Sequence, residues 1–261
     1  MKRIFITMTM MLIVFMAKAQ SCPDNNHPHV IDLGLPSGTK WACCNVGTDK
    51  PEGYGGYYAW GETEEKDNYD WSTYTLCDGD ETTCHDLGSD ISGTQYDVAH
   101  VKWGGAWVMP SDNQQKELLY SCKSQWTTMN GVAGLTLTGR NGNAIFLPAA
   151  GMYWFNDILG AGEDGNYWSS TMGQYSGIYC ACDMNFLDGG QGRSEGLRDI
   201  GKSVRPVIDE ADNINLPEAF SGKSSQAIYN LYGIKVADTM ADISTLFPGI
   251  YIVNGKKIVV K

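Results

Sequence analysis

The sequence predicts a turn-rich domain of the β or α+β class. Of its 261 residues, 31 are glycine, 14 are tyrosine and eight are tryptophan, and this composition favours short strands joined by tight turns. Only one segment combines apolar periodicity with the N-terminal capping residues of a helix. The chain is long enough for one sizeable hydrophobic core and a smaller appendage.

Residues 1–19 have the pattern of a secretory signal peptide. Two basic residues precede an apolar run from Ile4 to Ala17, and small residues flank the expected cleavage after Ala19. The run is shorter than the roughly 20 residues that span a bilayer. The segment before Cys22 lacks the aliphatic residue of a lipoprotein signal. We therefore expect an exported chain, without a transmembrane segment after cleavage, that is extracellular or at the outer-membrane surface.

The expected mature chain is strongly acidic. Removal of the leader leaves 16 basic residues against 30 acidic ones. A surface of this charge repels phosphate groups, so nucleic acid is excluded as a partner.

Two short strand patterns open the chain after the leader. Val30–Leu35 and Thr39–Ala42 flank a Pro-Ser-Gly turn and predict a hairpin. The aromatic run Tyr57–Glu62 predicts a further short strand. Residues 63–100 are polar and poor in aliphatic side chains, which predicts a long surface loop.

The one predicted helix follows Met109-Pro110. Ser111 is a good N-cap, and Gln114 stands three positions later, as a capping box requires. Leu118, Leu119 and Cys122 have helical spacing and form the expected buried stripe.

The second half of the region is predicted to be β-structure. Leu135–Thr138 and Ala144–Pro148 flank an Arg-Asn-Gly-Asn turn and predict a second hairpin. Tyr167–Ser170, Ile178–Met184 and Ser203–Val207 are the expected closing strands.

Six ordered blocks in this region resemble one protein family. They read VIDLGLPSGTKWACCNVG, YGGYYAWGET, WGGAWVMPSDNQQKELL, GNAIFLPAAG, NYWSS and SVRPV. The series is similar to the Fibrobacter succinogenes major paralogous domain and covers residues 28–207. The resemblance implies an exported or surface protein of a family without an established enzyme activity. The layout also resembles the C-type-lectin-like and sulfatase-modifying-factor folds. That implies an α+β fold of small antiparallel sheets, one main helix and long loops.

The C-terminal part differs from the preceding region in residue composition and pattern. Residues 208–222 are acidic and polar and predict a linker. In residues 223–261 the series IYNLYG, PGIYIV and GKKIVVK surrounds an Asn254-Gly255 pair, the strongest short hairpin signal. This series resembles the C-terminal sorting domain of the type IX secretion route. It implies a small all-β tail that is recognised by export machinery.

All eight cysteines lie beyond the leader, and an even number of cysteines in an exported chain favours disulfide bonds. Cys77 and Cys84 bracket a short polar loop and are the expected local pair. Neighbouring cysteines, such as those at positions 43 and 44, are awkward to bridge internally. The sequence contains no pair of CxxC units, which would indicate a zinc site. We interpret His27 and His29 as part of an exposed terminal arm.

The glycine-rich aromatic segments are the candidate ligand-binding regions, because exposed Trp and Tyr side chains dominate binding surfaces. The expected binding surface combines the loop between Leu147 and Tyr167 with residues 62–85. The candidate binding residues are Tyr58, Trp60, Tyr153, Trp154, Phe155, Asn156 and Asp157. The Trp154–Asp157 string is similar to a lectin calcium motif with one residue inserted, so calcium is considered, although no cofactor is required. Trp41, Trp107 and Trp168 belong to the family blocks and are expected in the core.

The sequence therefore favours an exported, non-catalytic binding or adhesion protein whose ligand is a glycan or a surface protein. An enzyme on the same scaffold is the first alternative, either a formylglycine-generating-like oxidase that uses Cys180 and Cys182 or a glycosidase that uses two of the many loop carboxylates. A purely structural surface or fimbrial component is the second alternative. No Gly-x-Ser-x-Gly frame indicates a hydrolase triad.

Overall fold

The computed structural model describes residues 20, 22–175, 178–208, 228–230, 235–237, 249–253 and 256–260. The chain divides into two compact units, residues 1–212 and 213–261. The predicted leader lies outside the described residues, and so does the predicted linker except for Ile208.

The first unit is rich in short antiparallel sheets. Its described part contains two helices, α1 Val98–Trp103 and α2 Asp112–Ser121. The strands described there are β1 Val30–Asp32, β2 Lys40–Ala42, β3 Lys123–Met129, β4 Val132–Thr138, β5 Ala144–Pro148, β6 Met152–Trp154, β7 Asp157–Leu159, β8 Asp164–Tyr175, β9 Ile178–Leu187, β10 Gly190–Leu197 and β11 Val207–Ile208. They form the sheets β1-β2-β11, β3-β4-β5, β10-β9-β8 and β6-β7. The class is therefore a sheet-rich α+β fold.

The opening hairpin is confirmed. β1 pairs antiparallel with β2, and the Gly38 N–H donates to the Leu35 carbonyl at 3.0 Å to close the turn. Gly38 has a φ of 81°, which a residue without Cβ adopts at little cost. On its other edge β2 pairs with β11, so that Trp41 lies opposite Val207. Both side chains are fully buried in the main core.

Helix α2 begins where the sequence predicts. The Ser111 side chain accepts a hydrogen bond from the Gln114 N–H, and the Gln114 side chain accepts one from the Ser111 N–H. Leu118 and Leu119 are buried, whereas Cys122 follows the helix as its C-cap and is half-buried. The helix also buries Gln115, whose amide nitrogen donates to the carbonyls of Tyr167 and Trp168, both at 3.0 Å.

Loss of the capping box is expected to weaken the fold measurably. Ser111→Ala leaves the Gln114 N–H without its acceptor and should lower the free energy of unfolding by about 0.5–2 kcal/mol. Ser111→Asp retains an acceptor and serves as the matched control. Urea unfolding followed by circular dichroism measures both. An alanine variant as stable as the aspartate variant would contradict the assignment.

The second predicted hairpin is confirmed as β4 and β5, which pair antiparallel. Two of the predicted closing strands correspond to β8 and β9, which are longer than expected and are joined through a register shift between Trp168 and Met172. β3 and β10 were not predicted. Each is largely exposed and polar, so its apolar alternation is too weak to indicate a strand.

Three local predictions were wrong. Tyr57–Glu62 is irregular apart from a single bridge between Tyr58 and Lys202; its aromatic character reflects burial and not strand formation. Residues 63–100 are not all loop, because Asp97 caps α1 by accepting from the Ala99 and His100 N–H groups. Of the run Ser203–Val207, only the last residue belongs to a strand.

Two of the three tryptophans expected in the core are fully buried. Trp41 and Trp168 are both 0% exposed. Trp107 is half-buried instead and packs edge-on against Trp103, with ring centroids 5.4 Å apart.

The second unit is a small antiparallel sheet. Its described strands are β12 Ile228–Asn230, β13 Lys235–Ala237, β14 Gly249–Val253 and β15 Lys256–Val260, in the order β13-β12-β14-β15. β14 and β15 pair up to Val253 opposite Lys256. The predicted hairpin with its turn at Asn254-Gly255 requires this pairing. The two turn residues themselves lie outside the described residues. Among the described residues no helix is long and apolar enough to cross a membrane.

Candidate functional site

The expected binding loop is a short hairpin. β6 pairs antiparallel with β7, so that Trp154 lies opposite Asp157. Phe155 occupies the turn with a φ of 54°, a left-handed conformation that side chains other than glycine adopt only where neighbouring contacts hold it. The rings of Trp154 and Phe155 stack with centroids 5.3 Å apart and planes 26° from parallel.

The inner side of the hairpin is attached to the body of the unit. Tyr153 exchanges two backbone hydrogen bonds with Gly201, at 2.7 and 2.9 Å. Phe155 exchanges two with Tyr69, at 2.6 and 2.9 Å. The Tyr153 ring packs against the rings of Tyr57 and Tyr69, with centroids 5.8 and 4.9 Å away. The hairpin is therefore fixed on one side, where it contacts Tyr69 of the segment 62–85.

The hairpin carries four exposed apolar side chains. Trp154 and Leu159 share one of its faces, whereas Ile158 lies opposite Tyr153 on the other face. Trp154 is 39% exposed, Phe155 52%, Ile158 40% and Leu159 39%. We call these four side chains the hairpin patch. The other large apolar residues exposed in the described part of the chain are scattered singly over other elements: Val30, Val101, Tyr120, Leu187 and Val236. Apolar side chains grouped in this way mark interaction sites.

Tyr58 and Trp60 do not belong to this surface. They are 2% and 0% exposed and lie in a second core cluster. The Trp60 indole N–H donates to the Ser169 carbonyl at 2.8 Å, and the Arg198 guanidinium lies 4.4 Å from the ring centroid. Neither aromatic ring can stack on a ligand at the surface. The prediction that they bind a ligand was made from composition, which does not distinguish exposed from buried rings.

The remaining two predicted residues form the end of the hairpin. Asn156 and Asp157 are exposed, and an Asp157 carboxylate oxygen accepts from the Ile158 N–H at 2.9 Å. Within the described residues, the clustered donors that could hold a metal do not include Asp157. A calcium ion at this turn would need further oxygen ligands from carbonyl groups, solvent or a bound ligand.

An open cavity of about 570 Å³ lies in the neighbouring segment, lined by residues 61–66 together with Thr73, Thr75, Leu76, Gln95 and Tyr96. Its three glutamates each have a protein partner. Glu62 pairs with Lys66 at 2.7 Å, Glu64 pairs with Lys102 at 3.0 Å, and Glu65 accepts from the Tyr57 N–H at 3.2 Å. These contacts assign the glutamates to holding the segment together.

Cys77 and Cys84 are brought together as predicted, but they are not bonded. They face each other in an isolated antiparallel bridge, both are buried, and both thiols are free. The Cys77 sulfur lies 3.7 and 3.6 Å from the carbonyl oxygens of Trp71 and Tyr74. Burial raises the pKa of the Cys84 thiol to about 11, which keeps it protonated and slow to react.

Cys180 and Cys182 lie on one face of β9, and both are buried. Burial raises the pKa of the Cys182 thiol to about 11. Metal ligation and nucleophilic attack both require the thiolate, so this environment does not favour the copper chemistry of the enzyme alternative.

A cluster that the sequence analysis missed lies before and beside β2. The donor atoms of Cys22, His27, His29 and Cys43 all lie within 4.8 Å of one another. A hydrogen bond from Cys44, together with the contacts from both imidazoles, holds the pKa of the Cys43 thiol well below its usual range. The His27-x-His29 pair is the feature of the sequence that could have indicated this cluster. No standard spacing connects that pair to a cysteine 14 residues away.

Comparisons with known proteins give no match among family models, curated proteins or solved structures. The family resemblance, the C-type-lectin-like fold and the sorting role of the tail therefore stay predictions from the sequence. Residue geometry alone carries the functional argument.

Proposed function

We propose that the chain is an exported, non-catalytic binding protein with a C-type-lectin-like scaffold, and that the hairpin patch contacts its ligand. The observation that carries this proposal is the grouping of four exposed apolar side chains on one short hairpin, the backbone of which is hydrogen-bonded to the rest of the unit. The leader and tail patterns place the protein at the cell exterior or outer-membrane surface, with export machinery as a partner of the tail.

The ligand is a glycan or a surface protein. Partly exposed aromatic side chains supply large contact area at little entropic cost, since few torsions are immobilised on binding. The hairpin is held in place before binding, which reduces the ordering cost further. The acidic charge of the chain argues against phosphate-rich ligands.

The enzyme alternatives have less support. Two glutamates of the cavity are in ion pairs and the third accepts a backbone hydrogen bond, and the two β9 cysteines are buried. A purely structural component would need no exposed aromatic pair, although a partner subunit could also cover the hairpin patch.

Removal of the Trp154 ring is expected to weaken ligand binding strongly without unfolding the protein. Trp154→Ala should weaken binding by about 2 kcal/mol or more, roughly 30-fold, and should change the free energy of unfolding by less than about 1 kcal/mol. Ligands are first identified by a glycan array and by pull-down from cell-surface extracts, with and without calcium. The affinity of each variant is then measured by titration.

Tyr120→Ala is the matched control, because Tyr120 is 72% exposed on α2 and lies outside the hairpin patch. It should bind like the parent protein. Equal losses in both variants would show that the patch is not the binding surface. Failure of both screens to yield a ligand would reject the binding function as stated.

A further inference from the structure

We propose that Cys22, His27, His29 and Cys43 bind one Zn²⁺ ion in a closed structural site. The four donor atoms lie within 4.8 Å of one another. Two sulfur and two imidazole donors in a tetrahedron are the set that zinc prefers in structural sites. This inference is independent of the hairpin patch, since no donor belongs to β6 or β7.

The distances from the Cys43 sulfur to the two imidazole nitrogens are compatible with binding of one metal ion by all three groups. Its sulfur lies 3.1 Å from Nδ1 of His27 and 3.8 Å from Nδ1 of His29. Zinc bonds of about 2.3 Å to sulfur and 2.0–2.1 Å to nitrogen separate such donors by about 3.6 Å in a tetrahedron. The observed separations lie on either side of this value. The whole cluster needs shifts of only about 1 Å to reach the tetrahedral geometry.

One proposed ligand, His29, has a carboxylate beside its second ring nitrogen, as metal-binding histidines commonly do. His29 presents Nδ1 to the cluster, and its Nε2 lies 3.0 Å from an Asp24 carboxylate oxygen. A carboxylate at the second nitrogen fixes the tautomer and the orientation of a metal-bound imidazole. The His29 backbone N–H also donates to the Cys43 sulfur at 3.0 Å, which stabilises a thiolate at this position.

The surroundings indicate a structural and not a catalytic role. Four protein donors leave no coordination position for substrate, and Cys43 is fully buried. The donors join the segment before β1 to the end of β2, where the Cys43 N–H already donates to the His29 carbonyl at 3.0 Å. The Gln20 side chain reinforces this connection by donating to the Cys43 carbonyl at 2.7 Å. The ion would therefore anchor the start of the expected mature chain to the core.

The test is a Co²⁺ and Zn²⁺ titration of the purified, metal-stripped and thiol-reduced protein. We expect one equivalent of Co²⁺ with the intense visible bands of tetrahedral coordination, displaced by Zn²⁺. Cys22→Ser should remove these bands, and Asp24→Asn should weaken metal affinity by about 10–100-fold. Both positions are partly or fully exposed, so these variants are chosen in preference to Cys43 variants, which could unfold.

His85→Ala and Cys122→Ser are matched controls outside the cluster, and they should bind like the parent protein. Mass spectrometry of the protein isolated without reductant provides a second readout. The proposal predicts unmodified Cys22 and one zinc ion per chain. It is overturned by Cys22 found in a disulfide or acylated, by the absence of a tetrahedral spectrum in the reduced protein, or by a spectrum that Cys22→Ser leaves unchanged.

Discussion

Lys202→Met is expected to lower the free energy of unfolding by about 3–5 kcal/mol. The Lys202 ammonium is 4% exposed and donates to the carboxylate of Asp183, which is 1% exposed. Asp183 also accepts from the Ser194 hydroxyl, and the ammonium lies 4.0 Å from the centroid of the Trp168 ring. Methionine preserves the length of the side chain but leaves a carboxylate buried without a countercharge. Chemical unfolding followed by tryptophan fluorescence measures the loss.

The double variant Lys202→Met/Asp183→Leu distinguishes the buried charge from simple loss of packing. Removal of both charges should recover most of the stability, because a buried ion pair contributes little beyond an apolar pair of similar volume. Lys102→Met tests the same change in the exposed pair with Glu64 and should alter stability by no more than about 1 kcal/mol. A double variant as unstable as the single one would contradict the electrostatic explanation.

Trp60→Ala is expected to lower the free energy of unfolding by about 3–5 kcal/mol. The indole is 0% exposed, donates to the Ser169 carbonyl and lies beneath the Arg198 guanidinium. Alanine leaves a cavity, an acceptor without its donor and a buried cation without the nearer of its two aromatic partners. Urea unfolding provides the measurement.

The comparison with Trp154→Ala separates the two aromatic roles. Trp60→Ala should lose stability while its folded fraction binds ligand with unchanged affinity, and Trp154→Ala should show the opposite. Loss of affinity in a folded Trp60→Ala protein would show that Trp60 contributes to ligand binding, contrary to this expectation. Trp60→Phe preserves most of the ring volume and should lie between the parent and the alanine variant.

Local signals in the sequence predict the parts of the fold that depend on neighbouring residues. The Ser111 and Gln114 capping box and the turn between β4 and β5 each act within a few positions, and both are present. The burial of an aromatic residue depends on the whole fold. Tyr58 and Trp154 occur in similar glycine-rich aromatic surroundings, yet one is in the core and the other is exposed. Composition therefore named Trp154 and Phe155 of the hairpin patch, did not name Ile158 or Leu159, and added the two core residues Tyr58 and Trp60.

The Cys and His cluster shows the same limit for metal chemistry. His27 and His29 are two positions apart in sequence, but Cys43 joins them only when β1 pairs with β2. That pairing was predicted, but the direction of the Cys43 side chain toward the N-terminal segment was not. Neither Asp24 nor Gln20 has any motif that would connect it to Cys43 before the fold is known.

The position of β2 between β1 and β11 has a consequence for the order of folding. The strand that completes this sheet comes from the far end of the unit, and the Val108 and Val207 backbones exchange hydrogen bonds there as well. Contacts between such distant segments form late, because a long loop must close before they contribute. The core therefore stays open until the last residues of the unit are available.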